Sequence, residues 1–193
     1  DANKIVFSGV GKQAWEIEAA LEAGIKCFNV ESEAELQRIA EIALNKGVKA
    51  PVSLRVNPDV DAKTHPYIST GLKGNKFGVD INEAPAIYAR AQQMPSIDIV
   101  GVDCHIGSQI TEISLYLDAL DKLIALIKQL QAQGIELSHL DIGGGLGIRY
   151  TDETPATPTE LLSAVFQALD AARLSHLQLI LEPGRSLVGN AGV

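Results

Sequence analysis

The chain has 193 residues, 46% of them apolar, and 16 Lys+Arg against 24 Asp+Glu give a formal net charge of −8. That length suits one sizeable domain or part of a larger protein, the apolar share supplies a core and argues against disorder, and the acidic balance disfavours a nucleic-acid surface, which needs clustered Lys and Arg. Apolar runs fall short of the ~18–20 residues of a membrane span, and two cysteines, Cys27 and Cys104, make neither a metal spacing nor a disulfide framework, so a reducing, cytoplasmic setting is expected.

In chain order, KIVFSG (4–9) reads as a strand, followed by a helix from about Gln13 to Ala23 that stops at Gly24. IKCFNV (25–30) is a strand. Ser32 and Glu35 then make the capping-box pattern of a helix running to about Asn45. VSLRVN (52–57) is the next strand, and a polar loop, roughly 58–76, precedes a helix around Glu83 to Gln92. IDIVGVDCH (97–105) is a strand. The helix from about Ile113 to Gln133 sets Ile113, Tyr116, Leu117, Leu120, Leu123, Ile124, Ile127 and Leu130 on one face, with Gly134 as its stop. LSHLDI (137–142) is a strand, and Thr157, Pro158 and Glu160 form a second capping box, with Pro at the first helical position, for a helix ending near Arg173. LQLILE (177–182) is the last strand.

Six strands, read as runs buried on both faces, thus alternate with helices, the pattern of a parallel α/β sheet covered by helices. An open doubly wound sheet and a (β/α)8 barrel both suit that order; the barrel needs eight strands. The chain carries no convincing repeat, low-complexity tract or linker. It begins with Asp rather than Met, from which a missing start is expected.

Polar residues collect just past the carboxyl ends of the strands: Arg55 and Asn57, His105 and Ser108, Gly143, Gly144 and Gly145, then Glu182, Pro183, Gly184 and Arg185. In a parallel architecture those ends share one rim, where ligands bind. GGGLG (143–147) lets backbone amides approach an anion, naturally a phosphate, or is simply a strand-to-helix turn. A dinucleotide fingerprint fails, because Ile148 stands where Gly or Ala is required.

In CHIGSQ (104–109), His105 suits a general acid–base, a metal ligand or a flat ring stacked on an aromatic cofactor; without a His/Cys/Asp cluster around it, metal is disfavoured. For His105 and Ser108 alike, a local structural hydrogen bond is the plainer reading. Arg55 inside an apolar strand needs a partner, either a buried counter-ion or an anionic ligand oxygen. In LEPGR (181–185), Glu182 suits a protonated ring nitrogen, the Gly184 amide a phosphate, and Arg185 a carboxylate held at two points. A Glu182–Arg185 pair across the turn is the simpler alternative.

Taken together, KIVFSGVGK, CFNVES, RVNPDVDAKTHPYISTGLKGNKFG, CHIGSQ, DIGGGLGI and EPGR resemble the diaminopimelate decarboxylase family over essentially the whole chain. These are pyridoxal 5'-phosphate enzymes of the alanine-racemase-like barrel class, related to ornithine and arginine decarboxylases; THPYISTGLKGNKFG is the most specific piece. The resemblance implies an incomplete TIM-type (β/α)8 barrel, strands three to eight, in residues 1–193. It implies that His105 stacks on the pyridine ring, and that Ser108, Gly143, Gly144, Gly145 and Gly184 hold the phosphate, Gly145 foremost in its run. Glu182 would pair with the pyridine nitrogen beside Pro183, Arg185 would touch phosphate or substrate carboxylate, and Arg55 would lie near the ring substituents. His105 and Glu182 are then the catalytic residues. The implied reaction removes CO2 from the D-centre of meso-diaminopimelate to give L-lysine, in a homodimer whose site is shared between subunits.

Two family features are absent. The cofactor lysine of a Y-A-V-K-A-N-like motif on the first barrel strand has no counterpart, since Lys4 and Lys12 do not match it. A C-terminal β-domain that gives a Cys or Glu and a Tyr to the partner's site is also missing. The resemblance therefore implies a longer parent, and residues 1–193 alone are expected to be inactive and poorly stable, because open barrel edges expose unpaired strand hydrogen bonds. Competing expectations are a non-catalytic relative acting as a binding or regulatory protein, and a decarboxylase of another basic amino acid. A sugar-phosphate enzyme would explain the glycines but neither EPGR nor His105 beside Ser108.

Overall fold

Strand and helix alternate along the chain, and the strands assemble side by side in nearly that order. A computed structural model describes residues 1–60 and 77–191. Its strands are β1 (Val6–Phe7), β2 (Cys27–Val30), β3 (Ala50–Asn57), β4 (Val79–Asp80), β5 (Ile97–Asp103), β6 (His139–Gly144) and β7 (Gln178–Glu182). The sheet runs β1-β2-β3-β5-β6-β7, with short β4 paired to the end of β3, and all pairings are parallel. A doubly wound sheet would reverse direction at a switch point. This order never reverses, so the sheet is the wall of a barrel. It curls far enough for its two sides to meet, with Lys26 Nζ donating to Gln178 Oε1 at 2.7 Å and Ser8 Oγ to Glu182 Oε1 at 3.3 Å. The fold is an incomplete parallel βα barrel.

The helices are α1 (Ala14–Ala23), α2 (Glu33–Lys46), α3 (Ala84–Gln92), α4 (Ile113–Ala132), α5 (Pro158–Ala171) and α6 (Gly184–Val188). Local chemistry sets their ends. Gly24 closes α1 at φ 68°, a conformation that only glycine adopts freely. Ser32 Oγ accepts from the Glu35 amide at 3.2 Å, but the Glu35 carboxylate reaches the Glu31 amide, at 2.7 Å, instead of closing the box on Ser32. The Thr157–Glu160 box closes in both directions, at 3.2 and 2.7 Å. Each such cap is worth about 1 kcal/mol. Three short elements lie outside the expectations from sequence: a 3-10 turn at Ala2–Lys4, β4, and α6, which begins where a plain turn was expected. The loop expected at 58–76 lies, from residue 61 onward, outside the described residues, as does most of THPYISTGLKGNKFG.

Strands β2, β3 and β6 are buried on both faces, as expected, but their inward face is largely polar instead of apolar. Outward residues pack on helices: Val30, Val52 and Leu54 share a seam with Leu36 of α2 and Ile87, Tyr88 and Ala91 of α3. Cys104 and Ile142 meet Tyr116, Ala119, Leu120 and Leu123 of α4. Each buried Val, Leu or Ile among them contributes roughly 1.5–3 kcal/mol. The alternate positions, Asn29, Ser53, Asp103, His139 and Asp141, are buried and polar. On α4 the buried stripe is turned from the expected one: Leu115, Ala119 and Leu126 join it, whereas Ile113, Leu117 and Ile124 are only partly covered. Among the described residues, no helix is long and apolar enough to cross a membrane.

Candidate functional site at the strand rim

Register aligns the interior side chains into layers. Asn29, Ser53, Gly101, His139 and Gln178 are successive partners across the sheet, and two residues further on come Arg55, Asp103, Asp141 and Ile180. Gly101 is needed because a Cβ there would strike the His139 ring. That ring lies with Nε2 3.6 Å from Cys27 Sγ, and burial drives its pKa down to about 4. In the next layer, Arg55 Nη1 pairs with Glu31 Oε1 at 2.9 Å, while the other Glu31 oxygen accepts the Gly78 amide at 3.1 Å. The guanidinium also lies 5.3 Å from the Phe77 ring centroid. The counter-ion reading of Arg55 is therefore realised.

Asp103 and Asp141 share this interior. Desolvation, then the charge of Asp141, pushes Asp103 well above the ordinary carboxylate range. Asp141 is raised to about 6, chiefly by desolvation, with the Gly143 amide pulling the other way. That amide donates to Asp141 Oδ1 at 2.9 Å. Neither aspartate was singled out from sequence. The H-L-D alternation in LSHLDI is the available signal: both faces of β6 are buried, and the inward one carries His139 and Asp141. Lys12, likewise buried, donates to the Gly9 and Asn29 carbonyls and to Glu35 Oε1, at 2.6, 2.8 and 2.8 Å, a structural cation with its contacts filled.

At the carboxyl rim the expected residues converge. The Gly144 amide donates to His105 Nδ1 at 3.2 Å, and Gly144 is the register partner of Glu182. Arg185 Nη2 donates to Ser108 Oγ at 2.7 Å, joining EPGR to CHIGSQ; the Glu182–Arg185 pair considered from sequence is not what forms. Ser8, a residue the sequence reading passed over, donates to exposed Glu182 and accepts from buried Asn29 Nδ2 at 3.0 Å. The glycine run is built for close packing of neighbouring backbone: a Cβ at Gly144 would strike the Glu182 carbonyl oxygen, and one at Gly145 the Gly107 carbonyl oxygen. Since Gly143 and Gly144 already spend their amides on Asp141 and His105, the expectation that all three serve a phosphate narrows to Gly145. A Cβ at Gly184 would meet nothing within 4 Å.

A curled parallel βα wall whose successive loops bring an imidazole, a hydroxyl, a guanidinium and a carboxylate to one lip defines an α/β-barrel protein with a polar mouth of mixed charge. Comparison makes that class specific. Residues 1–189 match the model of the pyridoxal-binding domain of pyridoxal-dependent decarboxylases, and the chain belongs to that family. It is similar to diaminopimelate decarboxylases of Vibrio cholerae serotype O1 and Haemophilus influenzae, at 55% and 58% identity over 193 residues, all of this chain and 46% of each relative. A crystal structure of diaminopimelate decarboxylase from Helicobacter pylori, complexed with L-lysine, superposes with a TM-score of 0.91 at 45% identity, covering 96% of this chain and 46% of that one. The chain thus spans about half the length of the curated relatives it matches.

Pyridoxal phosphate is the cofactor of this family, and the residues present fit it. The rim offers a cation and a hydroxyl for a phosphate, an open approach at Gly184, and a planar imidazole beside a carboxylate for an aromatic ring. Arg55 Nε and Asn57 Oδ1, at the carboxyl end of β3, are buried with no hydrogen-bond partner among the described residues.

Proposed function

We propose that this chain is the strand-three-to-eight portion of the barrel in a pyridoxal-phosphate-dependent carboxy-lyase that converts meso-2,6-diaminopimelate to L-lysine and CO2, the last step of lysine biosynthesis. The observation that carries the reading is the meeting of His105, Ser108, Glu182 and Arg185 at one lip, in a chain 55–58% identical over its full length to diaminopimelate decarboxylases. The lysine that holds the cofactor and a C-terminal β-domain are assigned to other parts of the parent. The parent is proposed to work in the cytoplasm as a homodimer.

When bound, pyridoxal phosphate supplies an electron sink for the pair left on an α-carbon as CO2 departs. Glu182 keeps a proton on the ring nitrogen by accepting its hydrogen bond, and a protonated ring makes the deeper sink. Ser8 steadies Glu182 by donating to one of its oxygens. His105, anchored through Nδ1, gives a flat neutral face to the ring. Ser108, Gly145, Gly184 and Arg185 would bind the phosphate, and Arg55, held by Glu31, would face the ring substituents. Arg185 is also the candidate for a substrate carboxylate. Glu182→Gln in the full-length protein tests the core of this reading: CO2 release from meso-diaminopimelate should fall at least about tenfold, since losing a charged partner of the ring nitrogen weakens transition-state stabilisation by more than 1 kcal/mol. Unchanged turnover would refute the role of that acid.

A further inference from the structure

CHIGSQ ends on a residue that the roles above leave unused. Gln109 has a backbone φ of 58°, a left-handed conformation that costs a non-glycine residue on the order of 1 kcal/mol. Its side chain makes a two-point pairing with the Ile148 backbone: Nε2 donates to the carbonyl at 2.6 Å, and Oε1 accepts the amide at 3.1 Å. The same Oε1 accepts Arg185 Nη1 at 3.3 Å, while the other arm of the guanidinium rests on Ser108. Backbone bonds from Ile110 to Gly145 and from Gly147 to Ile110, both 2.8 Å, already join the loops after β5 and β6. Gln109 ties in the third segment, the one after β7.

We propose that Gln109 is a positioning residue that aims Arg185 at the cofactor phosphate. The inference rests on the function proposed above. An unrestrained arginine side chain loses about 2 kcal/mol of rotamer entropy when it is fixed on an anion. Held in advance between Gln109 and Ser108, it loses less. The chemistry of the holder matters equally. An amide oxygen orients the guanidinium and leaves its charge intact, whereas a carboxylate there would neutralise the cation and repel a phosphate dianion.

The test compares equilibrium binding of pyridoxal 5'-phosphate and of pyridoxal, which lacks the phosphate, to the cofactor-free full-length protein. Gln109→Gly removes the side-chain bonds and suits the backbone conformation, so the unfolding temperature should hold. Its affinity for the phosphorylated ligand should fall about tenfold, the worth of a hydrogen bond to a charged group, with pyridoxal binding unchanged. Gln109→Glu should weaken the phosphorylated ligand further and again spare pyridoxal; it decides the case alone should the glycine variant not fold. Equal losses for both ligands, or no loss in either variant, would overturn the role of Gln109. A wild-type protein that binds the two ligands equally would instead sink the phosphate site itself.

Discussion

Across the β5–β6 rim, the Gly144 amide donates to His105 Nδ1 at 3.2 Å. An accepting nitrogen carries no proton, so the neutral ring bears its hydrogen on Nε2. Burial and then the Arg55 cation lower the His105 pKa below the ordinary 6.5, against weaker pulls from Glu182 and Glu31. The unfolded chain binds this proton first, so His105 supports stability above pH 6.5 and that support is lost as pH falls from 6.5 through the folded value. Nitrogen NMR of the full-length protein should show unprotonated Nδ1 at pH 7 and a titration midpoint below 6.5. A midpoint above 6.5 would contradict the buried, amide-anchored ring.

The two glycine sites separate packing from binding. Gly144→Ala and Gly145→Ala each drive a Cβ into a neighbouring carbonyl oxygen, and Gly145 in addition sits at φ 93°. Both should destabilise the protein by about 2 kcal/mol or more, the scale of overpacking against a fixed backbone. Gly184→Ala meets nothing. It should leave the unfolding temperature within a few degrees of wild type and weaken binding of pyridoxal 5'-phosphate. Thermal melts and ligand titrations on the three variants distinguish these outcomes, and a melt of Gly184→Ala depressed like that of Gly144→Ala would be the failing result.

Asp141 carries the opposite pH signature to His105. Its pKa rises from 3.8 to about 6, from desolvation and Glu182, opposed by the Gly143 amide, Asn29 and Arg55; its neighbour Asp103 is raised as well. A raised carboxylate pKa means that the folded state holds the proton longer, so the contribution is full below pH 3.8 and is lost as pH rises through about 6. Asp141→Asn keeps an acceptor for the Gly143 amide and removes the titration. Between pH 4.5 and 8 the variant should therefore gain roughly 2 kcal/mol relative to wild type. Denaturant melts at the two pH values check this, and a stability difference that does not change with pH would exclude the assignment.

Much of the architecture was legible because it is locally encoded. The helix starts at Ser32 and Thr157, the stop at Gly24 and the 3.6-residue stripe of α4 depend on side chains within one or two turns of each other. Strand β4 was missed because two residues carry no periodicity, and α6 because Pro-Gly reads as a turn whether or not a helix follows. The inward face of the strands was misjudged for a different reason. In LSHLDI and SLRVN the polar residues alternate with apolar ones, but nothing nearby in sequence supplies the polar company that makes a buried Asp141 or Arg55 tolerable.

The linear order of residues by itself determined the alternation of strands and helices, the polar ends that gather at one rim, and the motifs that place the chain in its family, since each depends on neighbours along the backbone. Only the folded arrangement decided that the sheet winds one way without reversing, that Arg55 answers Glu31, that Arg185 turns to Ser108 and Gln109 instead of Glu182, and that Gly143 and Gly144 spend their amides inside the protein. Apart from Gly143 and Asp141, which are two residues apart, those partners are tens of residues apart, and which charge finds which donor is fixed by strand register and by the cost of leaving any of them buried alone.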